Sequence, residues 1–442
     1  MKKYNLLLFI FLLNGCGETD NTPTVTALVE TNQTIKEEHN ETIETVDNNA
    51  SELDSDSNRE ENITNEDDNL TISNSLENND TDETIEIIET NITNDERNST
   101  ITNSSESNDT DENNVSVDSN QSIEEPYFSQ QWYLEENNTF YEKNDIDENA
   151  SIHFGKKYKY RGKGIKIAII DDGLDITHIE LNGSIVATYD ISTKTTNVSH
   201  RSMSEYHGTA VTGVIASNAN RIGIIGTASE SQIIFLKHKE GMSDSETIEL
   251  FNKAKEFGAD IINCSWGTYD VSDSVKEVIQ DLAINGRDGK GIVIVFATGN
   301  DGQDMGNDES AIPEVIAVGS SDKENLRAWY SNYGENIDIL APGGNLDLGI
   351  TTLDDMEENG IATLDNNYLL ANDENSFVGT SASTPIVSGV IALMLEKNPN
   401  LTRVEIENML HNKSDKIGNL DYVDGFNKYY GYGKINVERL LE

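Results

Sequence analysis

Four short segments hold side chains suited to nucleophilic acyl transfer: Asp171-Asp172-Gly173, His207-Gly208-Thr209, Ala297-Thr298-Gly299-Asn300 and Gly379-Thr380-Ser381. A serine hydroxyl is a poor nucleophile and needs a base within hydrogen-bond reach. His207 is the candidate base for Ser381. Asp171 would hold the other imidazole nitrogen and stabilise the imidazolium formed in the reaction. Asn300 would donate its side-chain amide to a developing oxyanion, with the Ser381 backbone N–H as second donor. One such donor contributes roughly 3–4 kcal/mol. Taken singly, each residue has a plainer reading: a turn former, a helix-start polar residue, a Gly-turn residue and an N-cap. Taken jointly and in this order, they point to catalysis.

Such groups need elements that hold them. Gly164 to Ile170 reads as a short β-branched strand that ends at Asp171-Asp172-Gly173. His207-Gly208-Thr209-Ala210 opens a buried helix running from Val211 to Ser217. Asp244 to Phe257 has apolar spacing near 3.6, and Val271 to Ile284 reads as a further helix. Ile261-Ile262-Asn263-Cys264, Ile292 to Ala297 and Val315 to Val318 read as buried strands. Ser381 to Leu395 is a mostly apolar helix, so Ser381 lies where a helix N-terminus favours developing negative charge. Strands alternating with helices predict an α/β fold with a parallel β-sheet covered on both faces. In such sheets chemistry sits at the carboxyl ends of the strands.

The four segments in this order closely resemble the subtilisin-like serine peptidases, whose Asp, His, Ser order they share. The resemblance runs from about Glu125 to Glu442 and includes Ser265-Trp266-Gly267, Ala341-Pro342-Gly343 and Gly431-Tyr432-Gly433-Lys434-Ile435-Asn436. The kexin/furin branch is the nearest flavour, through Gln130-Gln131-Trp132-Tyr133-Leu134, the doubled Asp171-Asp172 and Gly379-Thr380-Ser381-Ala382-Ser383. Two features depart from that branch. Only 61 residues follow Ser381, too few for its accessory β-domain, and its disulfides are missing.

The resemblance implies further roles. The stretch Ser265-Trp266-Gly267 would pair with substrate backbone as an added strand. Asp270 would face a basic side chain at P1, the substrate residue before the scissile bond, and Asp172 would help bind a basic P2. A subtilisin-like pocket of broad specificity is the competing expectation. The loop Asn218 to Ile224 matches the family's structural calcium loop. Asn220 would supply a side-chain oxygen, Asn218, Ile222 and Ile224 carbonyls, and Glu180 and Glu125 carboxylates. All-oxygen ligation suits Ca²⁺. A second calcium site of the convertases is not expected, because Asn332 stands where that branch has Glu. Cys264 reads as a small buried hydrophobe.

The remaining sequence speaks to location. The net charge of −49 excludes nucleic acid as the main partner, since phosphate binding needs basic patches. Lys2 and Lys3 precede an apolar run, Leu6 to Leu13, of signal-peptide size. Leu13-Asn14-Gly15-Cys16 resembles a bacterial lipobox, so Cys16 is the expected lipidation site and residues 1–16 the signal. Residues 17–123 are rich in Asn, Asp, Glu, Ser and Thr and contain no aromatic residue. Such a segment buries too little apolar surface to offset its ordering entropy, which predicts a disordered tether. It carries an internal duplication with an offset of 29 residues, seen in Asn62-Ile63-Thr64-Asn65 and Asn91-Ile92-Thr93-Asn94. An acidic residue, any residue, Asn, any residue, then Ser or Thr occurs at Asn32, Asn40, Asn49, Asn62, Asn69, Asn79, Asn91, Asn98, Asn108, Asn114 and Asn120. The pattern resembles the extended acceptor sequon of bacterial N-glycosylation. Composition together with the duplication is the competing explanation.

Residues 124–442 are thus expected to form one peptidase domain. The expected protein is an exported, membrane-anchored serine endopeptidase of the bacterial cell envelope, monomeric, acting on proteins or peptides. A catalytically silent adhesin or binding module on a glycosylated stalk is the reading from another class. No inhibitory prodomain is expected in the acidic segment, so folding is expected to proceed unaided or with a separate protein.

Overall fold

The computed structural model describes residues 125–155, 159–202, 205–354, 368–373 and 376–442. The signal, lipidation and sequon positions lie outside them. Among the described residues no helix is long and apolar enough to cross a membrane.

In chain order the elements are α1 (Asn138–Asn144), β1 (Lys166–Asp171), β2 (Ile185–Asp190), α2 (His207–Ala216), β3 (Gln232–Lys237), α3 (Asp244–Glu256) and β4 (Ile261–Cys264). Then follow α4 (Asp273–Gly289, with a break at 286–288), β5 (Val293–Ala297), β6 (Ile316–Ser321), β7 (Ile339–Pro342), the small pair β8 (Thr352–Leu353) and β9 (Tyr368–Leu369), α5 (Thr380–Lys397), α6 (Arg403–Lys413) and α7 (Val437–Leu440). Seven strands make one sheet in the order β2-β3-β1-β4-β5-β6-β7, and every pairing is parallel. The central strands are rich in apolar residues because both faces are covered. Ile167, Ile169, Ile233 and Phe235 face the α2 and α5 side, while Ala168, Ile170, Ile234 and Leu236 face α3 and α4. Each fully buried Ile or Leu of this kind contributes about 1.5–3 kcal/mol.

Helix starts follow local chemistry. Ser243 and Glu246 form a capping box on α3, Thr402 and Glu405 another on α6, and the Ser272 hydroxyl accepts from Val275 N–H at the start of α4. Helix α5 lies against β4, β5, β6 and β7 and against α2, which brings its N-terminus to the carboxyl ends of the strands.

Candidate active site

Asp171 is the last residue of β1 and His207 the first of α2. Gly208 lets the two elements meet: a Cβ there would lie 2.4 Å from the Gly173 carbonyl oxygen. His207 Nδ1 and Asp171 Oδ1 are 2.8 Å apart. Asp171 is almost fully buried, and its Oδ1 also accepts the Asp172 N–H at 2.9 Å. Burial opposes its charge, but the His207 charge and hydrogen bond, with His238 and the Asp172 N–H, hold its carboxyl below the usual range. Burial likewise opposes charge on His207. The charge and hydrogen bond of Asp171, aided by Asp172, outweigh burial and raise the imidazole to about 9. Asp172 is pushed up to about 7 by burial and by the adjacent Asp171 charge, against His207 and the N–H groups of Gly208 and His207. The Phe377 ring meets the His207 ring edge-on at 5.4 Å.

Ser381 is the second residue of α5. Its Oγ donates to the Ser265 carbonyl at 2.9 Å rather than to His207. Catalytic hydrogen bonds in ligand-free sites are often looser than in the reacting complex. The Ser381 carbonyl has lost its ordinary helical donor, because Pro385 four residues on has no N–H. The Ser265 hydroxyl takes that place at 3.1 Å. Ser265 is itself fixed by Asn263 on β4, whose Nδ2 donates to Ser265 Oγ at 3.1 Å and whose Oδ1 accepts from Ser388 of α5 at 2.8 Å. The nucleophile turn and the Ser265-Trp266-Gly267 stretch are therefore one hydrogen-bonded unit.

Asn300 is oriented by a residue to which the sequence reading gives no role. Its Oδ1 accepts from Thr380 N–H at 2.9 Å and from Thr380 Oγ1 at 3.0 Å, while Gly299 N–H donates to that hydroxyl at 3.2 Å. The acceptor atom is thus occupied and the amide Nδ2 is left as the donor. Gly379 precedes this turn with φ +128°, a conformation that favours glycine.

Ser381, Asn300, Thr380, Ser265, Trp266 and Gly267 line one cleft of about 200 Å³, completed by Tyr269, Ala297, Gly299 and Asp308. Asp270 is not among its lining residues. It is exposed, and its carboxylate accepts from Asn307 Nδ2 at 2.8 Å. The acid that does line the cleft is Asp308, which also accepts from Tyr269 N–H at 2.8 Å. Glu309 beside it holds Thr268 through N–H and hydroxyl at 3.0 and 2.8 Å. In so acidic a chain nothing in sequence marked these two out. Asp172 sits beside the Asp171–His207 pair, with its Oδ1 on Gly208 N–H at 2.8 Å. Cys264 is buried, and burial pushes its thiol well up, as befits a structural residue. Asn332 is a loop peg: its Oδ1 accepts from the N–H groups of Asp301 and Gln303, both at 3.0 Å.

The six residues expected around calcium come together. Glu180 is fully buried; its Oε1 accepts from Tyr368 OH at 2.7 Å and its Oε2 from Asn220 Nδ2 at 2.8 Å. Burial pushes it up to about 7, with the Glu125 charge adding to the rise. Glu125 Oε1 accepts from Arg221 N–H at 2.9 Å, whereas its buried Oε2 has no hydrogen-bond partner. Asn218 N–H donates to the Glu180 carbonyl at 2.9 Å, and Asn220 Oδ1 accepts from Ile222 N–H at 2.9 Å. Two buried carboxylates, one with an oxygen left without a hydrogen-bond partner, fit a hard cation.

The profile of the subtilase family matches residues 162–433. The chain belongs to the subtilase family. It is 35% identical over 314 residues to the "Calcium-dependent protease" of a Nostoc species, covering 64% of this chain and 46% of that one. It is 30% identical over 284 residues to "Subtilisin Savinase" of Lederbergia lenta, covering 63% of this chain and 90% of that one. It thus spans about half the length of the first of these relatives. The solved serine protease of Aeromonas sobria shares the fold, with TM-score 0.63 and 19% identity, covering 72% of this chain and 67% of that one. A Pseudoalteromonas arctica protease does so with TM-score 0.58 and 23% identity, covering 72% and 98%. The expected parallel-sheet fold is the one found.

Proposed function

We propose that this subtilase is an exported serine endopeptidase that cleaves peptide bonds with Ser381, His207 and Asp171. The observation that carries the reading is the 2.8 Å His207–Asp171 contact, beside a cleft lined by both Ser381 and the oriented Asn300. Ser381 Oγ leaves the Ser265 carbonyl and attacks the scissile carbonyl carbon as His207 Nε2 takes its proton. Asp171 stabilises the imidazolium, whose raised pKa reflects that same pairing. Asn300 Nδ2 and the Ser381 N–H receive the oxyanion. His207 then returns the proton to the leaving amine, and water releases the acyl group by the same steps.

Substrate backbone runs along Ser265-Trp266-Gly267. Cleavage follows Arg or Lys, with Asp308 rather than Asp270 supplying the carboxylate in the cleft and Asp172 favouring a basic P2. Ca²⁺ is a structural ion held by Glu125, Glu180, Asn220 and the carbonyls of Asn218, Ile222 and Ile224; its charge offsets the two buried carboxylates. The chain is anchored through lipidated Cys16, and the acidic tether carries N-glycans at its sequons. Glycopeptide analysis from a glycosylating host that finds only bare sequons would remove that last element. A separate protein assists folding, as a solved complex of the Aeromonas sobria protease with a chaperone invites one to test.

The test is hydrolysis of a peptide library by the full chain and its Ser381→Ala variant. The variant should keep its fold and retain at most roughly 10³–10⁴-fold catalysis over water. Turnover within about tenfold of the parent would end the assignment.

A further inference from the structure

We propose that Asp338, Glu407 and His411 form a binding site for a divalent transition metal of the Zn²⁺ class, tying α6 to the chain just before β7. Their ligand atoms all lie within 4.8 Å of one another. Glu407 and His411 are four residues apart on α6 and so share one helix face. Asp338 comes from a different part of the fold, immediately before β7.

The set combines an imidazole with two carboxylates, a mixed N/O donor set that suits Zn²⁺ better than the oxygen-only Ca²⁺. Each ligand is also held from behind. Asp338 Oδ2 accepts from Ala317 N–H at 2.7 Å, which leaves Oδ1 facing His411. The His411 ring stacks on Tyr432, centroids 3.7 Å apart and planes 11° apart, which fixes the ring while Nε2 points at Asp338 Oδ1, 2.7 Å away. Arg403 Nη1 donates to Glu407 Oε2 at 3.0 Å, leaving the second oxygen for a ligand. Hydrogen bonds of this kind to the two carboxylates are what ligating carboxylates carry in metal sites. Tetrahedral Zn²⁺ with bonds of about 2.0–2.2 Å separates its ligand atoms by roughly 3.3 Å. The Asp338–His411 contact would open slightly and Glu407 would close in, both within small side-chain rotations. His411 lies in the last turn of α6, where the helix dipole favours a cation. A water would complete the fourth position. The competing account is a His411–Asp338 ion pair beside an Arg403–Glu407 pair, which predicts no response to metal.

The experiment is calorimetric titration of Zn²⁺ into the full chain carrying Ser381→Ala, stripped with EDTA and returned to excess Ca²⁺. The proposal expects one Zn²⁺ bound, with affinity at least ~10-fold lower in both His411→Gln and Glu407→Gln. It also expects a Zn²⁺-dependent rise in Tm that those variants lose. Absence of binding up to roughly 100 µM Zn²⁺, or unchanged binding in both variants, would overturn it. Zn²⁺ held only by the acidic tether would give that second result. If His411→Gln does not fold by circular dichroism, Glu407→Gln decides alone.

Discussion

Asn300 offers two substitutions that separate positioning from chemistry. Its Oδ1 is committed to Thr380 N–H and Oγ1 at 2.9 and 3.0 Å, so only Nδ2 is available to an oxyanion. Asn300→Ala removes both functions. Losing the oxyanion donor costs about 2.7–4 kcal/mol of transition-state stabilisation, or roughly 10²–10³ in kcat. Thr380 is buried, so its N–H and hydroxyl also lose their acceptor, at a stability cost of about 1–3 kcal/mol. Asn300→Asp keeps an acceptor for Thr380 but replaces the donor with an oxygen. It should retain most of the lost Tm yet lower kcat at least as far as Ala does. The assay is kcat and KM on a chromogenic peptide, with Tm of each variant by calorimetry. KM should move little, because the donor acts on charge that appears only in the transition state. An Asn300→Asp enzyme within about tenfold of parental kcat would refute the oxyanion role.

Three further outcomes follow from the site. His207 must be neutral to act as base, and its pKa is raised to about 9, so kcat/KM should climb with pH through that value and level off above it. The protonated pair stabilises the fold fully below the ordinary histidine value and loses that contribution as pH rises through about 9; a flat rate profile between neutral pH and that value would contradict the pairing. Exhaustive chelation should lower Tm, since a native-state ligand at hundredfold excess over its Kd stabilises by about 2.7 kcal/mol; an unchanged melting curve would count against the Glu125–Glu180 site. Asp308→Asn should reduce kcat/KM for Arg or Lys at P1 more than for neutral residues, by the roughly 1.5–3 kcal/mol of a charge-assisted hydrogen bond; equal losses would assign Asp308 to holding Tyr269 and Ser310 in place.

Much of this was legible from local pattern. β4 was expected at Ile261–Cys264 and is found there: two β-branched residues open the segment, and its one polar member, Asn263, is satisfied by Ser265 and Ser388. The helix expected from Val271 begins instead at Asp273, where Ser272 caps it. The helix expected from Ser381 starts one residue earlier and runs to Lys397. Strands β2, β3 and β7 were not among the expected ones. β2 is an edge strand of mixed polarity, and β7 ends on Pro342, which in sequence argues against a strand. β3 carries the apolar run Ile233 to Leu236 and was open to the same reading as β4. Asp171, His207, Asn300 and Ser381 stand out in the sequence because each sits in a distinctive short motif at an element end. Asp308 and Thr380 do not, since their contacts depend on which loops the parallel register brings side by side. Asp270, chosen by resemblance, is turned to Asn307 by that packing.

The most direct test of the account is covalent labelling of the full chain with a fluorophosphonate. Such a probe reacts with a serine only when a base and oxyanion donors activate it. One adduct is expected, located by mass spectrometry on Ser381, abolished by Ser381→Ala and strongly slowed by His207→Ala. A folded chain that takes up no label at Ser381, at a pH above the raised His207 value, would contradict it and favour a silent binding module on the same fold.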